Sequence, residues 1–395
     1  MISFDEACSL VHQAARPLGQ EIVPIAGASG RRLAEPVIAA IDSPLQDCSS
    51  MDGYAVLDAD LATLPARLDV VGTSLPGRAF PAQVLQGQAV RIFTGAGVPA
   101  GADRIVIQEE VRRDGEVAIF ATVPGSTRYI RRKGSDFARG ATIVPAGCRL
   151  DPRALVAAAA ADLSEVSVFR RPRVALIASG DELVDPGLAR SDAGKIPDSI
   201  SLGVAAMAES WGAALAHCLR VADDLALLER AASECLNAAD VVVVTGGASV
   251  GERDFAKAMF AASGLETLFS TVAIKPGKPV WLGRAGGRLV LGLPGNPTSA
   301  LVTARLFLAP LLLGLGGGRP ADAVRWRPAS LVEGLEQCAA RETFVRASVE
   351  GSKVRALLDQ DSGAQRMLVD ADAVIRRRAH APGAAAGDEV EIIDF

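Results

Sequence analysis

The run Val241-Val-Val-Val-Thr-Gly-Gly-Ala-Ser-Val-Gly-Glu-Arg-Asp-Phe255 joins four valines to a turn rich in glycine and acid. Gly246 and Gly247 let main-chain N–H groups come close to an oxyanion, and Ser249 can donate a hydroxyl. Asp254 adds a carboxylate that can hold a cation. A second stretch, Ala178-Ser-Gly-Asp-Glu-Leu183, repeats the theme with Asp181 and Glu182. The same residues would also serve as a helix N-cap with acids favoured by the helix dipole. Asp198, Asp223 and Asp224 add carboxylates nearby in sequence. Ile274-Lys-Pro-Gly-Lys-Pro279 sets Lys275 and Lys278 on a proline-stiffened turn, where a fixed ammonium can meet an anion. Leu293-Pro-Gly-Asn-Pro297 offers Asn296 and backbone donors. Upstream, Ser49–Val56 holds one acid, Asp52, Arg91–Ala96 holds Thr94 beside a glycine, and Arg131-Arg-Lys-Gly-Ser-Asp136 sets three cations before an acid. Taken singly, each of these three also fits a solvated loop.

These turns need strands that end together. Val241–Val244 is apolar on both faces, the pattern of a buried parallel strand. Val174–Ala178 is another, and Ala214–Val221 a third. Helical spacing over 199–211, 224–237, 254–262 and 298–313 alternates with these strands and with others near 269–274, 279–283 and 288–292. That alternation predicts a three-layer α/β domain over 173–317, with acid and glycine turns converging at the strand carboxyl ends. Short strands between turns over 46–140 predict a mostly β domain. A helix over 3–19 starts from Ser3, and another over 151–161 starts from Asp151 and Pro152. Gly314-Leu-Gly-Gly-Gly-Arg-Pro320 predicts a flexible hinge. Beyond it, strands at 323–331, 342–349, 353–358, 373–378 and 389–393 predict a small β domain, with a hairpin at Glu350–Lys353.

Composition narrows the function. The 395 residues are 49% hydrophobic and 22% charged, enough for several cores. A net charge of −5 and 4% aromatics argue against nucleic acid as a partner. Six cysteines, at 8, 48, 148, 218, 235 and 338, form no C-x-x-C pair and predict buried thiols in a reducing cytosol. His12, His217 and His380 lack metal-site spacing. The N-terminus is not built like a signal peptide, and the apolar run Leu306–Gly314 is too short to span a bilayer. A cytoplasmic protein without membrane partners is expected. No Walker A motif occurs.

Eight blocks in order resemble the molybdopterin molybdenumtransferase family, the MoeA type related to the C-terminal part of gephyrin. They are SSMDGYAV (49–56), RIFTGAGVPAGADRIVIQEE (91–110), IRRKGSDFARGATIVPAG (130–147), ASGDEL (178–183), GKIPDS (194–199), TGGASVGERDF (245–255), IKPGKP (274–279) and LPGNPTSAL (293–301). The resemblance implies four domains. They are an elongated N-terminal region (1–45 with 141–172), an inserted β domain (46–140), a molybdopterin-binding α/β domain (173–317) and a C-terminal β-barrel (318–395). It also implies a homodimer with its site between subunits. The implied reaction inserts molybdate into adenylylated molybdopterin, releases AMP, uses Mg²⁺ and serves molybdoenzymes that accept the finished cofactor.

Carried over by position, Asp52, Thr94, Arg131 and Asp136 come from the inserted domain, and Glu182, Asp223, Asp254 and Lys275 from the α/β domain. Glu182, Asp223 and Asp254 are the implied metal ligands. Lys278 and Ser249 are implied molybdate or phosphate contacts, joined by Gly246 and Gly247, and Ser362 with Arg346 comes from the C-terminal domain. Three departures stand out: Thr271 in place of a lysine, Ile200 in place of an asparagine, and Gly363-Ala-Gln-Arg-Met367 in place of small residues. They leave open a divergent paralogue that carries or scaffolds the cofactor, or one that takes another oxyanion such as tungstate.

Overall fold

The computed structural model describes residues 1–246 and 255–395. Two compact units divide the chain. One comprises Met1–Glu21, Gly30–Ala34 and Val168–Phe395, the other Ile22–Ser29 and Glu35–Ser167.

In the first unit, a six-stranded sheet runs in the order Ala214–Val221, Arg173–Ser179, Val241–Thr245, Arg288–Leu293, Trp281–Ala285, Glu266–Phe269. The first four strands run parallel, and Trp281–Ala285 runs antiparallel to both of its neighbours. The valine strand lies third, and Val241 to Val244 are fully buried. Its side chains alternate between two cores. Val241 and Val243 join Val174, Leu176 and Leu291 on one face, and Val242 and Val244 join Ala175, Ile177 and Val290 on the other. Period-two alternation forces this split, so a residue apolar at every position is what such a strand needs. The helices Ser199–Ser210 and Leu225–Ala238 start at Asp198 and Asp224, each accepting a main-chain N–H three residues on.

The run expected as one strand at 269–274 is two elements in different sheets. Glu266–Phe269 edges the α/β sheet, while Ile274–Lys275 pairs in parallel with Glu342–Glu350. Arg327–Leu331, Glu342–Glu350, Lys353–Ala356, Ala373–Arg377 and Glu389–Asp394 close on themselves as a five-stranded barrel, with Glu342–Glu350 pairing with both Lys353–Ala356 and Ala373–Arg377. The expected hairpin is present, with Glu350 opposite Lys353. The Phe4–Ala14 helix carries a full capping box between Ser3 and Glu6 and packs Phe4 against Phe307 and Phe344.

Pro297–Leu315 is one helix of 19 residues, longer than expected and apolar enough by composition to cross a bilayer. Its most apolar window is 89% buried inside the protein, which marks it as a core helix. A π-helical stretch at Ala304–Leu308 precedes Pro310, where the missing N–H and the ring would otherwise break the ladder. The glycines that follow are not a flexible hinge. Gly314 abuts Ala15, and a β-carbon on Gly317, whose φ is +83°, would lie 2.0 Å from Phe169 Cδ2. These glycines are there for close approach, which composition alone cannot separate from flexibility.

The second unit holds a six-stranded sheet in the order Arg104–Ile107, Gly53–Val56, Gln88–Ile92, Ala66–Ser74, Val117–Phe120, Val111–Asp114. Pro152–Ala160 is helical with Asp151 as its cap. Gly53 has no room for a side chain, since a β-carbon would meet the Val106 carbonyl oxygen at 2.0 Å. Of the cysteines, Cys8, Cys48 and Cys235 are buried as expected, whereas Cys218 is exposed. Burial pushes the Cys8 and Cys235 thiols up to about 12.

Replacing Gly317 with alanine distinguishes the two roles of glycine. In a solvated hinge the change would be neutral or stabilising by about 0.4–1 kcal/mol. Against Phe169 and at positive φ it is expected to destabilise the fold by about 1 kcal/mol or more, read as a lowered urea midpoint of unfolding.

Candidate active site

Four strand ends of the α/β sheet meet. The Gly180 N–H donates to the Val221 carbonyl at 3.3 Å, which ties the Ser179–Glu182 turn to the start of the Asp223 loop. Asp181 Oδ1 accepts from the Asp223 N–H at 3.1 Å. Lys195 Nζ donates to the Asp181 carbonyl at 2.5 Å. Gly246, at φ +86°, follows the valine strand, and a β-carbon there would lie 2.4 Å from the Ser179 carbonyl oxygen. A β-carbon on Gly295 would in turn lie 3.5 Å from Gly246 Cα. Glycine is therefore required at 246 both by conformation and by space.

The acids sort into two groups. Asp198 and Asp224 cap helices, and Asp181 braces the neighbouring loop. Asp198 is buried and lies 3.9 Å from Arg220 Nε, and Arg220 also pairs with Asp185. That hydrogen bond holds the Asp185 carboxyl below its ordinary range. Glu182 has no such duty among the described residues. Its exposed carboxylate curls back over Gly180, where an added β-carbon would lie 2.7 Å from Oε2. Glu182 and Asp223 thus stand at the ends of two adjacent parallel strands. Gly247, Ser249 and Asp254 lie outside the described residues.

Lys275 and Lys278 are exposed on their turn, and neither forms an ion pair among the described residues. The turn itself is fixed: Val272 N–H donates to the Lys278 carbonyl at 3.0 Å, and Gly277 packs on Thr303. Thr271, where a third lysine was looked for, uses its carbonyl to accept from Ile2 N–H at 3.1 Å.

The C-terminal segment around Ser362 docks onto the same wall. The Ser362 carbonyl accepts from Thr298 Oγ1 at 2.8 Å and from Thr298 N at 3.3 Å. Arg346 is 1% exposed, and its Nη2 donates to the Asp359 and Asp361 carbonyls at 3.0 Å each. Burial pushes its guanidinium down from the ordinary arginine value. Arg346 supports the Ser362 segment from below; it offers no exposed charge. Thr298 escaped the sequence reading because nothing in Pro-Gly-Asn-Pro-Thr marks which neighbour will accept its hydroxyl.

In the second unit, Asp52 Oδ1 accepts from both the main-chain N and the hydroxyl of Thr94, each at 2.8 Å. The main-chain donation first, and the hydroxyl second, hold the Asp52 carboxyl below the usual range. The Ile130–Arg131 strand pairs with Cys48–Ser49, close to the Asp52 turn in sequence, and Ser49 O accepts from Gly95 N at 2.8 Å. Asp52, Thr94 and the Arg131 strand therefore belong to one loop system. The three cations differ. Arg132 pairs with Asp47 at 2.5 Å and Lys133 with Asp42 at 3.3 Å, while Arg131 is exposed and makes no ion pair among the described residues. Asp136 is exposed, and its N–H donates to the Ser43 carbonyl at 2.9 Å.

Comparisons with known proteins cover nearly the whole chain. The MoeA N-terminal region (domains I and II) matches residues 2–161, the probable molybdopterin binding domain matches 175–314, and the MoeA C-terminal region (domain IV) matches 329–395. A molybdopterin molybdenumtransferase of Nostoc sp. is 36% identical over 83% of the chain and 77% of that protein. Another, of Synechococcus elongatus, is 32% identical over 99% of both chains. A solved molybdopterin biosynthesis MoeA protein of Pyrococcus horikoshii superposes with a TM-score of 0.85 at 31% identity, covering 100% of this chain and 99% of its own.

Thr94→Val removes the hydroxyl donor but keeps the N–H, so the Asp52 carboxyl is expected to titrate higher than in the parent protein while staying below the free-aspartate range. A carboxyl-carbon NMR titration of ¹³C-labelled protein reads this. The sign follows from a lowered folded value. The stabilisation from Asp52 is present above the unfolded aspartate pKa and is lost as pH falls through the folded one.

Proposed function

Because this chain belongs to the MoeA family, whose curated members are molybdopterin molybdenumtransferases, it is a transferase of molybdenum cofactor biosynthesis, and we propose that it inserts molybdate into adenylylated molybdopterin with release of AMP. The reading as a cofactor carrier or scaffold, or as a handler of another oxyanion, is not favoured by these relatives. The observation that best supports the chemistry is the meeting of strand ends at Ser179–Glu182, Asp223 and Gly246, where glycine main chain and the exposed Glu182 carboxylate lie side by side.

Such a wall suits a phosphate-bearing substrate and a tetrahedral oxyanion. Main-chain N–H groups at Gly246 and Gly247, with Ser249, hold anionic oxygens, and Lys275 and Lys278 supply positive charge. Ser362 is carried to the wall by Thr298. In the homodimer, the inserted domain of one subunit offers Asp52, kept ionised by Thr94, with Arg131 and Asp136, to substrate held by the other subunit. No covalent nucleophile is required. The residues hold the pterin dithiolene and molybdate together and stabilise charge as the phosphoanhydride to AMP is hydrolysed.

The donor set also fits Mg²⁺. Among the described residues no three potential ligand side chains form a cage. Two hard carboxylates at neighbouring strand ends match an ion that keeps its waters and shares substrate phosphates. Glu182, Asp223 and Asp254 would hold it, and when bound it neutralises charge on the diphosphate oxygens. The protein works as a cytoplasmic homodimer and passes its product to molybdoenzymes.

Purified protein incubated with adenylylated molybdopterin, molybdate and Mg²⁺ is expected to release AMP; pterin binding without AMP release would restore the carrier reading. Glu182→Gln is expected to lower kcat/KM roughly 10- to 100-fold, the loss of a contact to a charged group. Arg131→Ala is expected to raise KM for the pterin substrate several-fold, whereas Arg132→Ala, already neutralised by Asp47, leaves it within about twofold.

A further inference from the structure

The segment from Asp359 to Val369 is held by Arg346, by the Gln360 side chain on the Arg346 main chain, by Thr298 and by Ser199. Arg346 holds Asp359 and Asp361, and Thr298 holds the Ser362 carbonyl. Beyond Ser362, the 3₁₀ turn Gln365–Leu368 reaches back to the α/β domain through Ser199 Oγ, which donates to Gln365 Oε1 at 2.9 Å. Ser199 is the first residue of its helix and sits at the end of a short ladder that carries Glu182. In that ladder Leu183–Val184 pairs with Ile196–Pro197, Ile196 N–H donates to the Glu182 carbonyl at 2.8 Å, and Asp198 N–H to the Val184 carbonyl at 2.9 Å. The Ser362 segment is thus tied on one side to the Gly295 turn and on the other to the Glu182 ladder.

Leu358 and Val369, at the two ends of this segment, are 99% and 86% exposed. Gln365 itself is exposed, so the bond joins two uncharged groups in contact with water, a weak interaction that opens readily. Ile200 turns its side chain onto the core, and Gln365 brings an amide to the neighbouring Ser199 from the other domain.

We propose that the Ser199–Gln365 hydrogen bond is a latch and that Gln365 is a positioning residue, holding the Ser362 turn against the Glu182 ladder when substrate binds. The proposal rests on the reading that Ser362 contacts the pterin substrate or molybdate.

Ser199→Ala, Gln365→Ala, their double variant and Gln365→Glu test it, in the full chain. Hydrogen–deuterium exchange without substrate is expected to speed up at amides 363–369 in both alanine variants. The double variant should exchange no faster than either single one. In AMP-release kinetics, KM for adenylylated molybdopterin is expected to rise roughly three- to tenfold in each alanine variant and no further in the double, with kcat within about twofold. Gln365→Glu keeps an oxygen acceptor for the Ser199 hydroxyl and should return KM to near the parent value. Additive effects in the double variant, unchanged exchange, or faster exchange with unchanged KM would each overturn the latch. Absence of AMP release by the parent protein would instead sink the assigned reaction, with the exchange data still deciding the latch.

Discussion

Burial of the Val241–Thr245 strand on both faces is the constraint from which the rest of the α/β domain follows. A strand with no polar face can sit only inside a sheet covered by helices on both sides. Its neighbours on both sides, Arg173–Ser179 and Arg288–Leu293, run parallel to it. Parallel strands finish at the same edge, so the turns that follow them meet. Chemistry collects at that edge because the main chain must bend there. Gly180 and Gly246 permit the bend, and the residues after them are freed from ladder duty.

Much of this was legible in sequence because period and composition report burial directly. The strand limits at Ala214–Val221 and the caps Ser3 and Asp151 follow from patterns with a single physical reading. What escaped involves partners distant in sequence. Ile274–Lys275 looks like the tail of a strand in its own domain, yet it hydrogen-bonds to Glu342 and Thr343. The glycines at 314–318 have the composition of a hinge and the packing of a core. Gln365 has no local signal at all, since its partner Ser199 lies in a different domain.

The acids show the same division at the site. Sequence placed Asp181, Glu182, Asp198, Asp223 and Asp224 in loops near one sheet edge. Only the structure separates Asp181, Asp198 and Asp224, spent on main-chain N–H groups, from Glu182, which holds none among the described residues. In the inserted domain the Arg131–Lys133 run divides likewise, with Asp47 and Asp42 absorbing two charges and leaving the third outward. A charge is available for a substrate where the fold has not already used it.

The pairing of Ile274–Lys275 with the barrel strand bears on how the C-terminal region can be inherited. By sequence comparison residues 329–395 form a detachable block. By hydrogen bonding they do not, because Glu342 N–H donates to the Ala273 carbonyl and the lysine turn is anchored by the barrel's own backbone. During synthesis that turn must wait for nearly seventy further residues before its strand acquires a partner. Exchange of the barrel between related proteins therefore has to preserve the register of a strand on the far side of the junction, and the two blocks are bound to evolve together at that seam.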